Sequence, residues 1–289
     1  MILVTGAGGQ VGQSLRQLSA EFPELPMLFQ DSASLDVTSR KAVLRFFGEH
    51  PLTGCINCAA YTAVDKAESE PERARAVNVQ GTQHLAEGCS RLDIPLVHFS
   101  TDYVYHNSAN RPLVETDRVN PHGVYARTKL AGERAAFRQH PNTMVVRTSW
   151  VYAPFGHNFV RTMLRLGSER PELQVVYDQV GTPTYAPDLA KAVLTILRQL
   201  QEGQIRPEHL KGVWHYANEG VTSWYDFAQA IFDMRDLPCK VNPILSLQYP
   251  TPAERPLYSV LNKAKIKSAF GLHIPHWRES LAVCLAAMG

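Results

Sequence analysis

A tyrosine and a lysine stand four residues apart in the hexapeptide VYARTK, which spans residues 124–129. Residues i and i+4 of a helix share one face, so this spacing places the phenol of Tyr125 beside the ammonium of Lys129. An adjacent cation lowers the pKa of a tyrosine from its usual value of about 10, and the phenol can then exchange a proton near neutral pH. The same spacing also occurs on ordinary solvated helix faces, so the pair needs support from other positions.

A second set of polar side chains follows an apolar run. In VHFSTDYVY, residues 97–105, the predicted strand ends in Ser100, Thr101 and Asp102. In a parallel sheet, the carboxyl end of a strand faces the crevice in which ligands bind. If the helix that carries Tyr125 flanks this crevice, a hydroxyl, a phenol and an ammonium converge there as the parts of a hydride-transfer site.

A glycine-rich turn lies between the first apolar run and the first helical pattern. In TGAGGQVG, residues 5–12, Gly6, Gly9 and Gly12 form a G-x-x-G-x-x-G pattern. Such glycines allow a positive φ in the turn, close approach of the backbone to a pyrophosphate, and tight packing of helix on strand. The helix that begins near Gln10 offers free N–H groups to the phosphates. We predict a dinucleotide-binding loop, for which a merely flexible loop is the alternative.

An acidic residue at the end of the second strand is the next expected part, because it binds the adenosine ribose hydroxyls. The segment PMLFQDSASLDV supplies Asp31 at this place and Asp36 a few residues later. Asp31 favours NADH, since its carboxylate repels a 2′-phosphate. It equally suits a surface turn, so the choice between NADH and NADPH stays open.

The elements that must position these residues follow a regular alternation. Through the first 180 residues, short apolar runs alternate with segments of helical periodicity, which is typical of a parallel sheet covered by helices on both faces. We predict an α/β fold with a doubly wound parallel sheet. An NAD(P)-binding Rossmann domain is expected over residues 1–152, with a segment of about 175–215 returning to it. Residues 153–289 are expected to form mainly a smaller, discontinuous substrate-binding lobe.

Composition and charge narrow the class of protein. The chain has 289 residues, of which 45% are hydrophobic and 19% charged, and this balance is sufficient for a full core. A net charge of +2 without basic runs argues against nucleic acid as a partner. No apolar stretch approaches the roughly 18 residues of a membrane helix, so we expect no membrane partner and a soluble, cytoplasmic protein.

The five cysteines do not resemble a disulfide framework, because their number is odd and they are scattered. Cys55 and Cys58 form a C-x-x-C pair, but they lie where a buried strand runs into a loop. A redox pair is expected at a helix start, and a zinc site needs a second pair. His273 and His276 are too isolated to indicate a metal, so no metal ligands are predicted.

The glycine loop, Thr101 and the Tyr125/Lys129 pair resemble those of the extended short-chain dehydrogenase/reductases. Longer motifs narrow the resemblance to the dTDP-4-dehydrorhamnose reductase family and extend over nearly the whole chain: AAYTAVDKAESEPERARAVN, FSTDYVY, YARTKLAGE, VRTSWVYAPFGHNFVRTMLRL and YPTPAERP. This resemblance implies an NAD(P)H-dependent oxidoreductase. The expected reaction reduces the 4-keto group of dTDP-4-dehydro-L-rhamnose to dTDP-L-rhamnose, a nucleotide sugar for surface polysaccharide such as lipopolysaccharide.

The resemblance also implies roles for matching residues. Thr101 would hydrogen-bond the 4-keto oxygen, Tyr125 would protonate it, and Lys129 would hold the nicotinamide ribose and depress the pKa of the tyrosine. Other matching positions would contact the two ligands: Asp102 and Trp150 the substrate; Gly9, Gln10 and Val11 the pyrophosphate; Asp36 and Val37 the adenine; Ala59, Ala60 and Tyr61 the middle of the cofactor.

Two further substrate residues are predicted from chemistry alone. Asn158 in GHNF and Arg255 in PAERP suit a nucleotide diphosphate, the arginine because a guanidinium grips phosphate as a fork. A helix N-cap is the alternative role for Asn158, and a surface ion pair is the alternative for Arg255.

The sequence departs from the family in its expected metal site. Members are associated with magnesium held by glutamates, one of them early in the first helix. Here that helix carries Gln13 and Ser14 with no acid before Glu21, and a later position holds Asp188. A homodimer is compatible with the resemblance, but a magnesium-bridged one is not expected.

Two other functions stay open. Sugar-nucleotide epimerases share the fold and retain NAD⁺ without net redox change, whereas the related dehydratases carry a glutamate where this chain has Tyr103. The regulatory subunit of methionine adenosyltransferase also resembles this family and acts as a binding partner rather than an enzyme. The presence of Thr101, Tyr125 and Lys129 favours an enzyme.

Overall fold

The computed structural model describes residues 1–106 and 109–289. The strands, in chain order, are β1 (Ile2–Thr5), β2 (Met27–Gln30), β3 (Gly54–Asn57), β4 (Leu96–Thr101), β5 (Thr143–Thr148), β6 (Val151–Tyr152), β7 (Glu172–Val176), β8 (Val180–Gly181), β9 (Thr184–Tyr185), β10 (Gly212–His215), β11 (Thr222–Ser223) and β12 (Lys240–Ile244).

The α-helices, in chain order, are α1 (Gln10–Leu18), α2 (Arg40–Glu49), α3 (Val64–Ala67), α4 (Pro71–Arg75), α5 (Thr82–Leu92), α6 (Gly123–Gln139), α7 (Phe159–Glu169), α8 (Ala186–Gln201), α9 (Trp224–Met234), α10 (Ala264–Phe270) and α11 (Trp277–Ala286). A π-helical segment, Ala76–Gly81, joins α4 to α5, and short 3₁₀ turns lie at Ser19–Glu21, Asp102–Val104, Pro207–Leu210 and Ser246–Gln248.

A six-stranded parallel sheet forms the centre of the molecule, in the order β10-β5-β4-β3-β1-β2. All residues of β1, β3, β4 and β5 are buried, as expected for parallel strands that are covered on both faces. The direction of winding reverses between β1 and β3, and ligands of such sheets bind outside the carboxyl ends of the strands at this point. The predicted doubly wound α/β fold is confirmed.

The two faces of the sheet are covered by different helices. Along β1, Val4 packs in the cluster built with α1 and α8, while its neighbour Leu3 packs in the cluster built with α2 and α5. This alternation follows from the two-residue period of a strand. Burial of each large aliphatic side chain stabilises the folded state by roughly 1.5–3 kcal/mol. This packing holds the carboxyl end of β1 in a fixed position relative to α1.

The later part of the chain builds a second hydrophobic cluster from α7, α9, α11 and short strand pairs. The strand β7 pairs with β12 in this lobe rather than with the main sheet. By contrast, β10 joins the main sheet beside β5, and α8 packs against its core. The division of the chain at residue 152 stays a prediction. No helix within the two described ranges is long and apolar enough to cross a membrane.

Candidate active site

The glycine loop forms a cradle that tolerates no side chain at two positions. Gly6 has φ +64°, and a Cβ atom there would lie 2.5 Å from the backbone nitrogen of Ala59. A Cβ atom at Gly12 would lie 2.5 Å from the carbonyl oxygen of Gly6. Gly9 is the N-cap of α1 and provides no side-chain cap, so the first N–H groups of the helix are available to a phosphate. Gln10 and Val11 occupy the first turn. The cradle fits a dinucleotide pyrophosphate.

The two predicted adenosine-side acids both stabilise their own turns. Asp31 directly follows β2, and its Oδ1 accepts hydrogen bonds of 3.0 Å from the backbone N–H groups of Ala33 and Ser34. Hydrogen bonds from Ser34, above all, lower the pKa of this carboxyl. Asp36 accepts from the N–H and hydroxyl of Thr38 at 2.9 and 2.7 Å. Val37 is buried. Their contacts with the adenosine stay predictions.

The loop after β3 lies directly against the glycine cradle. The N–H of Ala59 donates to the side chain of Asn57 at 3.0 Å, and Ala60 is partly exposed. The N–H of Tyr61 donates to Oδ1 of Asn78 at 2.8 Å, while Nδ2 of Asn78 donates to the carbonyl of Tyr61 at 3.2 Å. The contacts of this loop with a cofactor stay predictions, and the loop borders the glycine cradle.

Asn78 is a residue that the sequence analysis missed. It is fully buried in the π-helical segment, and its Nδ2 also donates to the hydroxyl of Thr128 on α6 at 3.1 Å. Gly132 of α6 packs against it so closely that a Cβ atom would lie 2.2 Å from its carbonyl oxygen. A single asparagine in a helical pattern gives no signal of this role, because its three partners are distant in sequence.

The three predicted catalytic residues lie on adjacent elements. Thr101 ends β4, and Tyr125 lies in the first turn of α6 with Lys129 one turn later. The hydroxyl of Thr101 lies near the phenol of Tyr125 and donates to Oδ1 of Asp102 at 3.1 Å. The ring of Tyr103 meets the ring of Tyr125 edge-on at 5.8 Å. The ammonium of Lys129 is buried and donates to the carbonyl of Phe99 at 2.7 Å.

The predicted lowering of the tyrosine pKa is wrong for this structure. Burial raises the pKa of Tyr125 to about 12, and the hydrogen bond of Thr101 opposes this rise. Lys129 does not lower it, because its ammonium is directed at the main chain of β4. The phenol therefore stays protonated at neutral pH, which suits a proton donor.

A buried ion pair behind Lys129 fixes α6 on the sheet. Glu133, one turn beyond the lysine, binds the guanidinium of Arg147 through contacts of 2.9 and 2.6 Å. It also accepts a 2.5 Å hydrogen bond from Ser100. Burial lowers the pKa of Lys129 to about 8, and the carboxylate of Glu133 opposes this shift. Lys129 is therefore largely charged at neutral pH and loses its proton in mildly alkaline solution.

Asp102 is a buried carboxyl beside the reactive hydroxyls. Its side chain is 2% exposed, and Oδ1 accepts from Thr101 at 3.1 Å. Oδ2 is buried and has no hydrogen-bond partner among the described residues. Burial raises the pKa of this carboxyl to about 6. The contact of Asp102 with a sugar stays a prediction, since this oxygen is buried in the structure.

Trp150 lies just after the carboxyl end of β5 with an unusual backbone. Its φ of +46° is in the left-handed region, where a bulky residue is strained. The indole stacks on Trp224 at 3.6 Å with an interplanar angle of 10°. A Cβ atom at Gly181 would approach the indole to 2.8 Å. The ring is thus held rigidly where the substrate contact is predicted.

Asn158 and Arg255 both show the alternative role considered for them. Asn158 is the N-cap of α7, accepts from the N–H of Arg161 at 3.1 Å and donates to Gln10 at 2.9 Å. Arg255 forms an ion pair with Asp65 at 2.7 Å. Their contacts with a diphosphate stay predictions, and each would compete with an existing partner.

The residues at the family's magnesium positions do not fit that metal. The side chain of Gln13 donates to the carbonyl of Gly8 at 2.7 Å. Oδ2 of Asp188 accepts from Asn218 at 2.7 Å and from Ser280 at 2.5 Å. An amide and a carboxylate that are both bound within the chain do not provide the open oxygen ligands that magnesium requires.

The fold and the site together define an NAD(P)-dependent oxidoreductase of the Rossmann type. The chain belongs to the RmlD substrate binding domain family, whose model matches residues 1–289. It is 41% identical over 288 residues to the dTDP-4-dehydrorhamnose reductase of Aggregatibacter actinomycetemcomitans, with 97% of this chain and 96% of the relative covered. The resemblance predicted from the motifs is confirmed.

Solved structures agree with this assignment. A dTDP-4-dehydrorhamnose reductase from Clostridium acetobutylicum superposes with a TM-score of 0.92 at 39% identity, with 99% of both chains covered. A dTDP-4-dehydrorhamnose reductase from Bacillus anthracis, in complex with NADP, superposes with a TM-score of 0.91 at 34% identity and covers 99% of this chain and 98% of its own.

Proposed function

We propose that the protein reduces the 4-keto group of dTDP-4-dehydro-L-rhamnose to give dTDP-L-rhamnose, with NADPH or NADH as the reductant. The observation that carries this proposal is the arrangement of Thr101, Tyr125 and Lys129 beside a glycine cradle for a dinucleotide. Relatives of this name match nearly the full length of the chain, including its second lobe. The complex of the Bacillus anthracis relative supports NADPH, whereas Asp31 favours NADH.

The bound dinucleotide supplies a hydride to the ketone carbon. The hydroxyl of Thr101 hydrogen-bonds the ketone oxygen and polarises the carbonyl. Tyr125 gives its phenolic proton to that oxygen, which becomes the new hydroxyl of the product. Because the pKa of Tyr125 is raised, the phenol carries its proton before the reaction. Transfer of that proton leaves a negative charge on the phenolic oxygen, which the site must stabilise.

Lys129 supports this step through the dinucleotide. Its ammonium lies one turn from Tyr125 on the same helix and offers donors to the ribose hydroxyls of the dinucleotide. The hydrogen bond to the carbonyl of Phe99 fixes the ammonium for this task.

A dimer of this chain would require contacts other than a magnesium bridge, since Gln13 and Asp188 are already bound within the chain. The proposed catalysis does not depend on a dimer, because every residue assigned to it comes from one chain.

The direct test follows the near-ultraviolet absorbance of reduced nicotinamide with purified protein and dTDP-4-dehydro-L-rhamnose generated in situ. We expect a substrate-dependent fall with NADPH or NADH, and the two rates give the preference. Absence of any fall contradicts the proposal. In that event, NAD⁺ bound to the purified protein favours an epimerase, and a site that binds substrate without turnover favours a regulatory subunit.

A further inference from the structure

Two histidines and a glutamate meet at the start of α6, apart from the residues assigned to the reaction. Each of His106, His122 and Glu254 offers a ligand atom, and these atoms all lie within 4.8 Å of one another. We propose that these three residues bind a transition-metal ion such as Zn²⁺. We call them the His–His–Glu cluster. This inference does not rest on the proposed catalytic function.

The distances within the cluster suit a metal ion. Nε2 of His106 lies 3.2 Å from Oε1 of Glu254, and Nδ1 of His122 lies 2.8 Å from Oε2 of the same carboxylate. Zn²⁺ bonds nitrogen and oxygen at about 2.0–2.2 Å, so two ligand atoms of a tetrahedral ion are roughly 3.3 Å apart. The two nitrogens approach different oxygens of the carboxylate, and one ligand atom from each of the three residues lies within 4.8 Å of the others, so small rotations bring all three to this separation.

The two imidazole rings must fan apart to close the site. They now stack face to face with centroids 3.8 Å apart and planes inclined by 4°. In this arrangement the carboxylate of Glu254 hydrogen-bonds Nδ1 of His122, and its other oxygen lies 3.2 Å from Nε2 of His106. A metal ion replaces the protons between the rings and the carboxylate, and small rotations of the imidazoles direct both nitrogens at it. Water completes the coordination on the exposed side.

The ligand types determine which metals are expected. Imidazole nitrogen with a single carboxylate suits Zn²⁺, Co²⁺ and Ni²⁺, whereas magnesium prefers a set of oxygen ligands. The side chains are accessible, with 24% of His106, 37% of His122 and 59% of Glu254 exposed. An ion can therefore enter without unfolding the chain.

A neighbouring amide holds one of the rings. Nδ2 of Asn120 lies 3.1 Å from Nε2 of His122 and also donates to the carbonyl of His106 at 3.1 Å. Ligating histidines usually have a partner on the second ring nitrogen, which sets the ring orientation. When Nδ1 of His122 binds a metal, Nε2 carries the proton, and the amide of Asn120 accepts it by turning over and giving up its bond to the carbonyl of His106.

The three ligands come from different segments of the chain, so a bound ion would link these segments. His106 follows the 3₁₀ turn after β4, and His122 is the N-cap of α6, three residues before Tyr125. Glu254 belongs to the connection between β12 and α10, where its neighbour Arg255 is paired with Asp65. A bound ion thus cross-links this connection to the first turn of the helix that carries Tyr125.

The test is a calorimetric titration of the chelator-treated full-length protein with Zn²⁺, with Mg²⁺ as the comparison ion. We expect one saturable site that prefers Zn²⁺. His122→Asn and Glu254→Gln should each weaken binding by about tenfold or more. The matched controls His273→Asn and Glu169→Gln alter exposed residues outside the cluster and should bind as the wild type does.

A Co²⁺ spectrum separates the cluster from the cysteines. Nitrogen and oxygen ligands give weak visible bands, whereas thiolate ligands at Cys55 and Cys58 would add an intense near-ultraviolet charge-transfer band. The proposal is overturned by the absence of saturable binding, by wild-type affinity in both His122→Asn and Glu254→Gln, or by a thiolate band that accounts for the bound ion.

Hydrogen exchange provides a readout that does not involve activity. With Zn²⁺ we expect slower amide exchange in residues 249–257 and in the first turn of α6, and we expect this slowing to be lost in Glu254→Gln. Unchanged exchange in the metal-loaded wild type would overturn the proposed cross-link.

Discussion

The side-chain amide of Asn78 donates to the hydroxyl of Thr128 at 3.1 Å and, through the same nitrogen, to the carbonyl of Tyr61 at 3.2 Å. One buried residue thereby joins the loop after β3, which borders the cofactor cradle, to the helix that carries Tyr125 and Lys129. We therefore expect the position of the phenol relative to a bound dinucleotide to depend on this connection.

Asn78→Ala should weaken NADPH binding by about tenfold, because the loop and the helix lose their common anchor and buried polar groups are left unpaired. Fluorescence titration with NADPH measures the change, and circular dichroism checks that the fold is kept. Asn242→Ala is the matched control, since that amide binds Glu172 at the surface. Wild-type affinity in Asn78→Ala would disprove the anchoring role.

Tyr125→Phe should keep NADPH affinity and lose about 10²–10⁴-fold in kcat, because it removes the proton donor and leaves the aromatic ring in place. Steady-state kinetics and NADPH titration separate the two effects. Tyr225→Phe, on α9, removes a hydroxyl outside the proposed site and should be neutral. A near wild-type rate in Tyr125→Phe would exclude the assigned donor.

The reductase rate should fall as the pH rises through about 8. Burial lowers the pKa of Lys129 to about 8, so the ammonium is charged below this pH and neutral above it. Tyr125, with a pKa of about 12, stays protonated over the same range. The measurement is kcat/KM against pH. Lys129→Met has no ammonium to titrate, so it should be slow and its kcat/KM should show no decrease near pH 8. If the variant keeps this decrease, the titrating group is not Lys129.

Asp102→Asn should stabilise the protein at neutral pH while it impairs turnover. The pKa of the buried carboxyl is about 6 against an ordinary value of 3.8, so the folded state disfavours the carboxylate. Stability is therefore lost as the pH rises from about 4 to about 6, and at pH 7 the cost is about 3 kcal/mol.

Urea unfolding at pH 7 and at about pH 4 measures this effect. We expect Asp102→Asn to raise the free energy of unfolding by about 2–3 kcal/mol at pH 7, with little gain at the lower pH. Asp233→Asn, an exposed substitution on α9, is the control. An equal gain at both pH values would show that the ionised carboxylate is not its source.

Gly6→Ala should abolish dinucleotide binding and destabilise the fold, because the new methyl group would lie 2.5 Å from the backbone of Ala59 at a φ of +64°. Gly8→Ala is the matched control in the same loop, since no atom lies within 4 Å of a Cβ there. NADPH titration and thermal unfolding of both variants make the comparison. Equal behaviour of the two variants would refute the steric argument.

The sequence by itself determined the parts that depend on neighbouring residues. The strand–helix alternation predicted the doubly wound sheet, since the spacing of apolar residues along a strand or helix shows which of its faces is buried. The spacing of Gly6 and Gly12 predicted the cradle, and the interval between Tyr125 and Lys129 placed both on one helix face. These relationships are local, so they can be identified along the chain.

The tertiary structure decided what depends on burial and on contacts between distant segments. Burial, which cannot be read from spacing, raises the pKa of Tyr125, whereas the adjacent lysine alone predicted a decrease. Asn78 gains its role from partners 17 and 50 residues away. The His–His–Glu cluster joins positions separated by up to 148 residues, and only the tertiary fold brings the connection between β12 and α10 to the start of α6.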